Sequence, residues 1–208
     1  MRIIRQSAFV SVPWKNGGGV TREAIRMPPS GASFHWRLSI AQIDKSGPFS
    51  DFAAYRRFMV LLKGGGVRLE IASPHDPEGA SERRELRAGG DWVQFDGALA
   101  TNCELIDGPC VDLNLMVSKA SPAPSVRVER VREPLCPRVE GSEWMLAFPL
   151  DSALELRGGT GAHLLDPWDV ALWSGQDDPS VRIAPVPGGE SAAGAKVLLA
   201  TLAGWASA

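Results

Sequence analysis

The sequence predicts an all-β fold on three observations: short segments that alternate apolar and polar residues, glycine-rich turns between them, and few helix signals. Residues 34–41 show the alternation most clearly, since every second side chain from Phe34 to Ile40 is large and apolar, as in a strand with one buried face. Turn signals recur about every ten residues, a spacing typical of barrels and sandwiches. We therefore expect a β-barrel or a β-sandwich.

The predicted strands fall into two groups. They cover residues 34–41, 58–62, 67–71, 91–95, 101–106 and 111–117 in the first group, and 143–148, 153–157, 169–173, 180–184 and 196–202 in the second. The triple glycine at 64–66 predicts a hairpin, and Asp107-Gly108 predicts a further turn. Between the groups, Ser121-Pro122-Ala123-Pro124 is rigid and extended by composition. We expect two halves, 1–120 and 121–208, packed as one compact unit.

Composition and charge exclude several classes of protein. Of the 208 residues, 44% are apolar, and 22 Lys and Arg against 24 Asp and Glu leave a formal charge of −2. That balance gives no basic field for nucleic acid, and no apolar run approaches the ~18 residues of a membrane span. Arg2 and Arg5 interrupt what would be the apolar part of a signal peptide. The three cysteines form no C-x-x-C pair, so we expect reduced thiols in a cytoplasmic protein.

The most informative motif is P-W-K-N-G-G-G at residues 13–19. Three residues without a Cβ let the backbone adopt conformations closed to other residues, and they let a ligand approach it closely. Trp14, Lys15 and Asn16 add a ring face, an ammonium group and an amide, a set suited to a small anionic or polar ligand. The alternative interpretation is a glycine-rich connection between two strands.

Several familiar catalytic and metal-binding patterns are absent from the sequence. Lys15 precedes the glycines, whereas a P-loop has its lysine and hydroxyl residue after them, and no G-x-S-x-G marks a nucleophile elbow. The histidines, His35, His75 and His163, lie far apart, so a histidine metal site would have to draw all three from distant strands. We expect no metal and no other cofactor.

A series of motifs resembles the HutD/Ves family. The matching residues are P-W-K-N-G-G-G-V-T-R-E at 13–23, W-R-L-S-I-A at 36–41, G-P-F-S at 47–50, Arg57 before an apolar strand and a glycine turn, and D-L-N-L-M at 112–116. The resemblance is specific over residues 8–118 and looser up to residue 203. Arg56 departs from it, because the resemblance leads us to expect an acidic or neutral residue beside Arg57.

The resemblance implies a cupin-like fold, a bicupin with two β-barrel or jelly-roll halves in one chain. Members are encoded with histidine-utilisation enzymes or described as stress-induced. Metal-dependent cupins bind their ion with an H-x-H pair, a glutamate and a further histidine, and this sequence contains no H-x-H. We therefore expect a metal-free binding pocket.

The candidate site residues come from the strand patterns and the resemblance together. Arg37 and Ser39 lie on the face of residues 34–41 opposite the large apolar set, so they face outward or into a cavity, where Arg37 can bind a carboxylate bidentately. The predicted ligand-binding residues are Trp14, Lys15, Asn16, Gly17, Thr21, Arg37, Ser39, Arg57 and Asn114. Glu23 and Asp112 are the acid–base candidates.

Each candidate also has a structural interpretation. Arg37 and Arg57 can instead pair with Glu23, Asp51 or Asp112 for modest stability. Trp14 can plug the barrel as an apolar side chain, and Asn114 can bond the backbone at a bulge. The family resemblance favours a shared binding site over these separate roles.

Three functional classes follow. The first is a metal-independent, non-catalytic protein that senses or buffers a small anionic metabolite, such as a substituted glutamate of histidine breakdown. The second is a metal-independent isomerase or hydrolase on a small polar substrate, which requires Glu23 or Asp112 in the pocket with a raised pKa. The third is a structural or interaction protein, in which a tryptophan fills the pocket and a sheet edge mediates assembly. We expect the first class, with exposed sheet edges favouring a homodimer.

Overall fold

The chain is built almost entirely of β-strands, which confirms the predicted all-β class. The computed structural model describes residues 1–14, 17–73, 81–140, 143–159, 161–176, 180–186 and 194–203. Within these ranges the one helical element is a 3-10 turn at Gln6–Ala8. No helix in the described ranges has the length and apolarity needed to cross a membrane.

In chain order the strands are β1 Arg2–Ile4, β2 Val10–Pro13, β3 Gly19–Met27, β4 Trp36–Ile43, β5 Gly47–Pro48, β6 Tyr55–Lys63, β7 Val67–Ala72, β8 Ser81–Leu86, β9 Trp92–Asp96, β10 Thr101–Leu105, β11 Cys110–Ser118, β12 Ser125–Val131, β13 Trp144–Pro149, β14 Leu154–Gly158, β15 Gly161–Leu165, β16 Val170–Ser174, β17 Arg182–Pro185 and β18 Ala195–Leu202. They form two compact units, one comprising Phe9–Ser121 and the other combining Met1–Ala8 with Pro122–Ala208.

The unit Phe9–Ser121 consists of two antiparallel sheets. A six-stranded sheet has the order β2-β3-β4-β11-β6-β9, and a four-stranded sheet has the order β5-β10-β7-β8. Met59 and Leu61 of β6 and Leu69 and Ile71 of β7 belong to one buried apolar cluster. Because alternate residues of a strand share a face, this cluster lies between the inner faces of the two sheets.

The central strands of the six-stranded sheet, β4, β6 and β11, are buried on both faces. On β4, Trp36, Leu38 and Ile40 are buried on one face, and the intervening Arg37 and Ser39 lie on the other. The period-two pattern of residues 34–41 therefore divides the strand as predicted. The face with Arg37 and Ser39 is the inner face, and it carries the candidate site.

The triple glycine at 64–66 does not close a hairpin, so that prediction is wrong. β6 and β7 lie in different sheets, and the glycines carry the chain from one sheet to the other. A Cβ on Gly64 would lie 2.5 Å from Cys110 Sγ, and one on Gly65 would lie 2.5 Å from the carbonyl oxygen of Ile106. Glycine is required there because the segment passes so close to the turn between β10 and β11.

The second unit has a five-stranded sheet in the order β1-β16-β13-β18-β12 and a three-stranded sheet in the order β15-β14-β17. β1 pairs antiparallel with β16, so residues 2–4 contribute to this unit, whereas the predicted half 1–120 includes them. Asp169 anchors the segment that follows. Its buried carboxylate accepts hydrogen bonds from Arg5 Nη1 at 2.7 Å and from the Gln6 backbone N–H at 2.8 Å.

The core of the second unit is an apolar cluster drawn from both of its sheets. It includes Met145, Leu156, Trp173, Ile183 and Leu199, each at most 1% exposed. None of the predicted site residues lies in this unit, so the rest of the functional argument concerns the unit Phe9–Ser121.

Candidate functional site

A cavity of about 510 Å³ opens on the inner face of the six-stranded sheet. This volume lies within the usual range for a small-molecule site. Of the predicted site residues, those that line the cavity are Trp14, Thr21, Glu23, Arg37, Ser39, Arg57, Asp112 and Asn114. Gly17 is exposed and adopts a φ of +64° outside the lining. Lys15 and Asn16 lie outside the described residues.

Strand register explains why the polar side chains meet. Ser39 of β4 lies opposite Glu23 of β3 on one side and opposite Asn114 of β11 on the other. Two residues along β4, Ala41 lies opposite Asp112. Because side chains two residues apart share a face, these positions form neighbouring rows on the inner face. Asn114 and Asp112 are only 8% and 2% exposed, so these rows bring buried polar side chains together on the inner face.

Arg57 is the most deeply buried cation of the lining. It is only 6% exposed, and its guanidinium carbon lies 4.9 Å from the ring centres of Phe49 and Phe95 and 5.7 Å from that of Phe52. Aromatic faces attract a cation at such distances. The rings therefore orient the guanidinium without neutralising its charge.

Arg37 lies on the same row across the sheet as Arg57. Met116 of β11 is the residue between them, because it lies opposite Arg37 of β4 on one side and opposite Arg57 of β6 on the other. Its guanidinium carbon lies 5.1 Å from the ring centre of Phe34 and 5.4 Å from that of Phe52. Arg37 Nη2 also donates to Met116 Sδ at 3.0 Å. The ring of Phe52 is thus shared by both arginines.

Neither arginine has a carboxylate partner among the described residues. The ion pairs of those residues include neither Arg37 nor Arg57, and the Nε atoms of both are buried without a hydrogen-bond acceptor. The interpretation in which they pair with Glu23, Asp51 or Asp112 is therefore wrong for these residues. Two guanidiniums instead face a cavity in which an anion can pair with them.

Burial dominates the electrostatics of the site. It lowers the pKa of Arg57 to about 10, although Asp112 opposes the shift and Arg37 adds to it. Burial also lowers the pKa of Arg37, with Glu23 opposing. For Asp112, burial raises the pKa to about 7 against the attraction of Arg57. All three shifts favour the uncharged form, as expected when water is removed from a charge without a close partner.

Trp14 does not plug the cavity. Its indole Nε1–H donates to Thr21 Oγ1 at 2.7 Å, which holds the ring at the wall and leaves the volume open. Asn114 does not bond the backbone with its carbonyl oxygen, since Oδ1 is buried without a partner. The arrangement is the clustered polar pocket that favours the two ligand-based functional classes over the interaction class.

Comparison with known proteins identifies the family. The HutD family model matches residues 6–188. The chain belongs to the HutD family. It is similar to an uncharacterized 21.2 kDa protein of the hutC 3' region of Pseudomonas putida, with 38% identity over 117 residues, which are 56% of this chain and 57% of that protein. It is also similar to Protein Ves of Citrobacter koseri, with 51% identity over 116 residues, or 55% and 56% of the two chains. The alignments thus span about half the length of these curated relatives.

Solved structures match this chain over nearly its whole length. A conserved protein of unknown function from Pseudomonas aeruginosa PAO1 has a TM-score of 0.78 at 29% identity, covering 97% of both chains. HutD from Pseudomonas fluorescens SBW25, solved in a formate condition, has a TM-score of 0.76 at 26% identity, also covering 97% of both. Oxalate decarboxylase from Lactobacillus farciminis has a TM-score of 0.65 at 9% identity, covering 99% of this chain and 87% of that one. The predicted HutD/Ves membership and cupin-like bicupin fold are confirmed.

The described lining of the cavity offers two carboxyl groups and no imidazole to a divalent cation, so it does not fit one. In the described parts of the chain, no group of three or more His, Cys, Asp and Glu side chains is placed to hold a metal ion. Glu23 and Asp112 line the cavity together with two guanidiniums, whose positive charge disfavours a second cation nearby. The metal-free pocket stays a prediction.

Sequence reasoning missed the aromatic residues of the candidate site. Phe49 and Phe52 line the cavity and Phe95 contacts Arg57, but none was among the predicted site residues. Phe49 belongs to the G-P-F-S motif that carries part of the family resemblance, so the signal was present there. Phe52 lies in a connection without periodicity, and Phe95 was predicted only as part of a strand.

Proposed function

We propose that the cavity binds a small carboxylate metabolite, which the protein senses or buffers without converting it. The observation that supports this most directly is that Arg57, which is buried, and Arg37, whose Nε is buried, have no carboxylate partner among the described residues. Burying an unpaired charge is costly, and a ligand carboxylate would offset that cost by pairing with either guanidinium. The planar fork of arginine also matches a carboxylate with two parallel hydrogen bonds.

A substituted glutamate of histidine breakdown is the ligand we propose to test first. Membership of the HutD family supports this choice, as does the similarity to a protein of the hutC 3' region. N-formylglutamate offers two carboxylates for guanidiniums and an amide N–H for an acceptor such as Asn114 Oδ1, which is buried without a partner. Formate is a second probe, because a HutD relative was solved in a formate condition.

A thermal-shift titration with matched variants tests this proposal. N-formylglutamate at a hundredfold excess over its Kd should stabilise the protein by about 2.7 kcal/mol, a rise in Tm of about 5–11 °C for a chain of this size. Arg57→Gln should remove the shift. Arg56→Gln is the control, since Arg56 neighbours Arg57 on β6 but its Nη1 donates to the backbone carbonyls of Ser118 and Ser121 at 3.2 and 3.4 Å.

The outcomes separate the alternatives. A shift in the wild type and in Arg56→Gln, but not in Arg57→Gln, supports the carboxylate pocket. Equal shifts in both variants would place the ligand elsewhere. No shift with N-formylglutamate, formate, urocanate or simple dicarboxylates would contradict the proposal.

A second candidate function, a metal-independent isomerase or hydrolase, has one observation in its favour. Asp112 lines the cavity, and burial raises its pKa to about 7, where a carboxyl group can both accept and donate a proton. Incubation of N-formylglutamate with the protein, followed by proton NMR, would detect any product. Turnover by the wild type that is lost in Asp112→Asn would favour the enzyme over the sensor.

The homodimer also stays a prediction. β2 is an edge strand of the six-stranded sheet, and its Val10 and Val12 are 65% and 54% exposed. Unpaired edge strands with apolar side chains invite pairing with another chain. Light scattering of the wild type and of Val10→Lys would show whether this edge mediates assembly.

A further inference from the structure

Asp112 is a carboxyl group in a cavity that otherwise favours anions. It is the third residue of β11, where Ala41 of β4 and Leu61 of β6 are its neighbours across the sheet. Its side chain lines the cavity and the residue is only 2% exposed. Asp112 takes part in none of the ion pairs found within the described ranges. The role of such a group in an anion site needs an explanation.

The charged groups around Asp112 come from every neighbouring element. Arg37 on β4 and Glu23 on β3 share the cavity with it, and Arg57 on β6 is the cation that attracts it most. From the four-stranded sheet, the Cys103 thiol faces it. Burial, followed by the charge of Asp112, raises the pKa of Cys103 to about 12, so that thiol stays neutral over the physiological range.

Cys110, on the same face of β11 as Asp112, donates its thiol hydrogen to the carbonyl oxygen of Gly66 at 3.2 Å. The Cys103 thiol therefore does not exchange a proton with a ligand, and Cys110 is not among the residues that line the cavity. Glu23 and Asp112 are the carboxyl groups of the lining that can do so. Of the two, Asp112 is buried, whereas Glu23 is of intermediate exposure.

An anion in this cavity would place a second negative charge beside Asp112. Two carboxylates in a small volume of low dielectric repel each other strongly, and the usual result is that they share one proton. A protonated carboxyl group then becomes a hydrogen-bond donor to the carboxylate. A donor buried next to two guanidiniums is a useful third contact for an anionic ligand.

We propose that the cavity binds a carboxylate together with one proton, which Asp112 takes from solvent and donates in a hydrogen bond to the ligand. The inference rests on the proposed function, because it assumes that the cavity binds carboxylates. No covalent bond changes: the proton moves from water or buffer to an Asp112 oxygen and returns when the ligand leaves.

The direction of the pH dependence follows from the ligand-free state. Burial raises the pKa of Asp112 to about 7, so at pH 8 about nine-tenths of the molecules must take up a proton to bind, and at pH 6 about one-tenth. Above about pH 8, the affinity should fall by about tenfold for each pH unit until the pKa of the ligand-bound state is reached. Below pH 6 it should level off.

Isothermal titration calorimetry can count the proton. The probe is N-formylglutamate, which has no group that titrates between pH 6 and 9. Each titration is run in MOPS and in imidazole, because both buffer over this range, their ionisation enthalpies differ and neither is a small carboxylate or phosphate. We expect uptake of about 0.9 proton at pH 8 and about 0.1 at pH 6. Asp112→Asn should bind with neither uptake nor pH dependence, and Glu23→Gln should keep the uptake.

The results distinguish this inference from the proposed function. Binding at pH 6 and 8 with no difference between the buffers would overturn the proton coupling and leave carboxylate binding intact. Loss of the uptake in Glu23→Gln rather than in Asp112→Asn would also overturn it. The expected affinity is highest at pH 6 and below. No binding of N-formylglutamate or formate at pH 6 would therefore overturn both the proton coupling and the proposed carboxylate binding. The wild-type titrations decide the question even if Asp112→Asn does not fold.

Discussion

Replacing Asp112 by asparagine tests the electrostatics of the cavity without any ligand. Asparagine has nearly the size of aspartate and keeps a polar head, but it cannot ionise. The ordinary pKa of 3.8 for Asp112 is raised to about 7 by burial, which means that the folded protein holds this proton more tightly than the unfolded chain. The contribution of Asp112 to wild-type stability should therefore fall as the pH rises from about 4 to about 7 and stay constant above that.

The size of the effect follows from the two pKa values. At 1.36 kcal/mol for each unit of pKa, the full difference is about 4 kcal/mol, of which about 3 kcal/mol develops between pH 5 and pH 8.5. The free energy of unfolding of Asp112→Asn, taken relative to the wild type, should rise by that amount over the same range. Since the variant lacks the ionisation, its advantage should be largest at high pH.

Urea denaturation at pH 5 and pH 8.5, followed by tryptophan fluorescence, measures this difference. Glu104→Gln is the matched control, because it removes a carboxylate from the same unit at a position where the side chain is 57% exposed. The reasoning would be refuted if Asp112→Asn and the wild type differed by the same free energy at both pH values. It would also be refuted if the variant lost stability relative to the wild type as the pH rose.

Three further predictions concern other parts of the chain. Arg57→Met should stabilise the ligand-free protein by about 1–3 kcal/mol in urea denaturation, because it replaces a buried charge that has no ion-pair partner by an apolar side chain. The same variant should lose carboxylate binding. A lower free energy of unfolding than that of the wild type would contradict this prediction. Gly19→Ala should unfold at a much lower temperature than Gly17→Ala, because a Cβ at Gly19 would overlap the backbone oxygen of Gln42. Around Gly17 there is open space, so an alanine there costs only the strain of a φ of +64°, about 1–2 kcal/mol. Equal melting temperatures of the two variants would refute the close approach at Gly19. Asp169→Ala should lower the free energy of unfolding by about 2–3 kcal/mol, because Arg5 and Gln6 lose their buried hydrogen-bond acceptor. It should also speed hydrogen exchange of the β1 amides. An unchanged exchange rate in β1 would show that the Asp169 carboxylate does not anchor the strand.

The inner face of the site could be predicted because strand periodicity fixes faces. Arg37 and Ser39 alternate with large apolar residues, so their common face followed from the sequence alone, and the same holds for Asp112 and Asn114 on β11. The family resemblance added Arg57. What periodicity cannot supply is the register that places Ser39 opposite Asn114, since register depends on contacts between distant parts of the chain.

The wrong hairpin at 64–66 shows a second limit. Three glycines indicate an unusual backbone, but they do not distinguish a turn that pairs its flanking strands from a crossing between sheets. The deciding contact is the close approach of Gly64 to Cys110, which is tertiary and leaves no local signal. β1 escaped prediction for a related reason, because a strand of three residues carries too short a pattern to reveal its pairing with β16.

The buried polar side chains of the cavity lower the stability of the unit Phe9–Ser121. Arg37, Arg57 and Asp112 are held in a sheet whose opposite face is apolar, and burial disfavours the charged form of all three. A carboxylate bound with a proton would pair the guanidiniums and neutralise Asp112, so it would relieve these costs together. The free energy of unfolding would then rise with ligand concentration in proportion to ln(1 + [L]/Kd). If the proposed function holds, the cavity would in this way couple metabolite concentration to the stability of the fold.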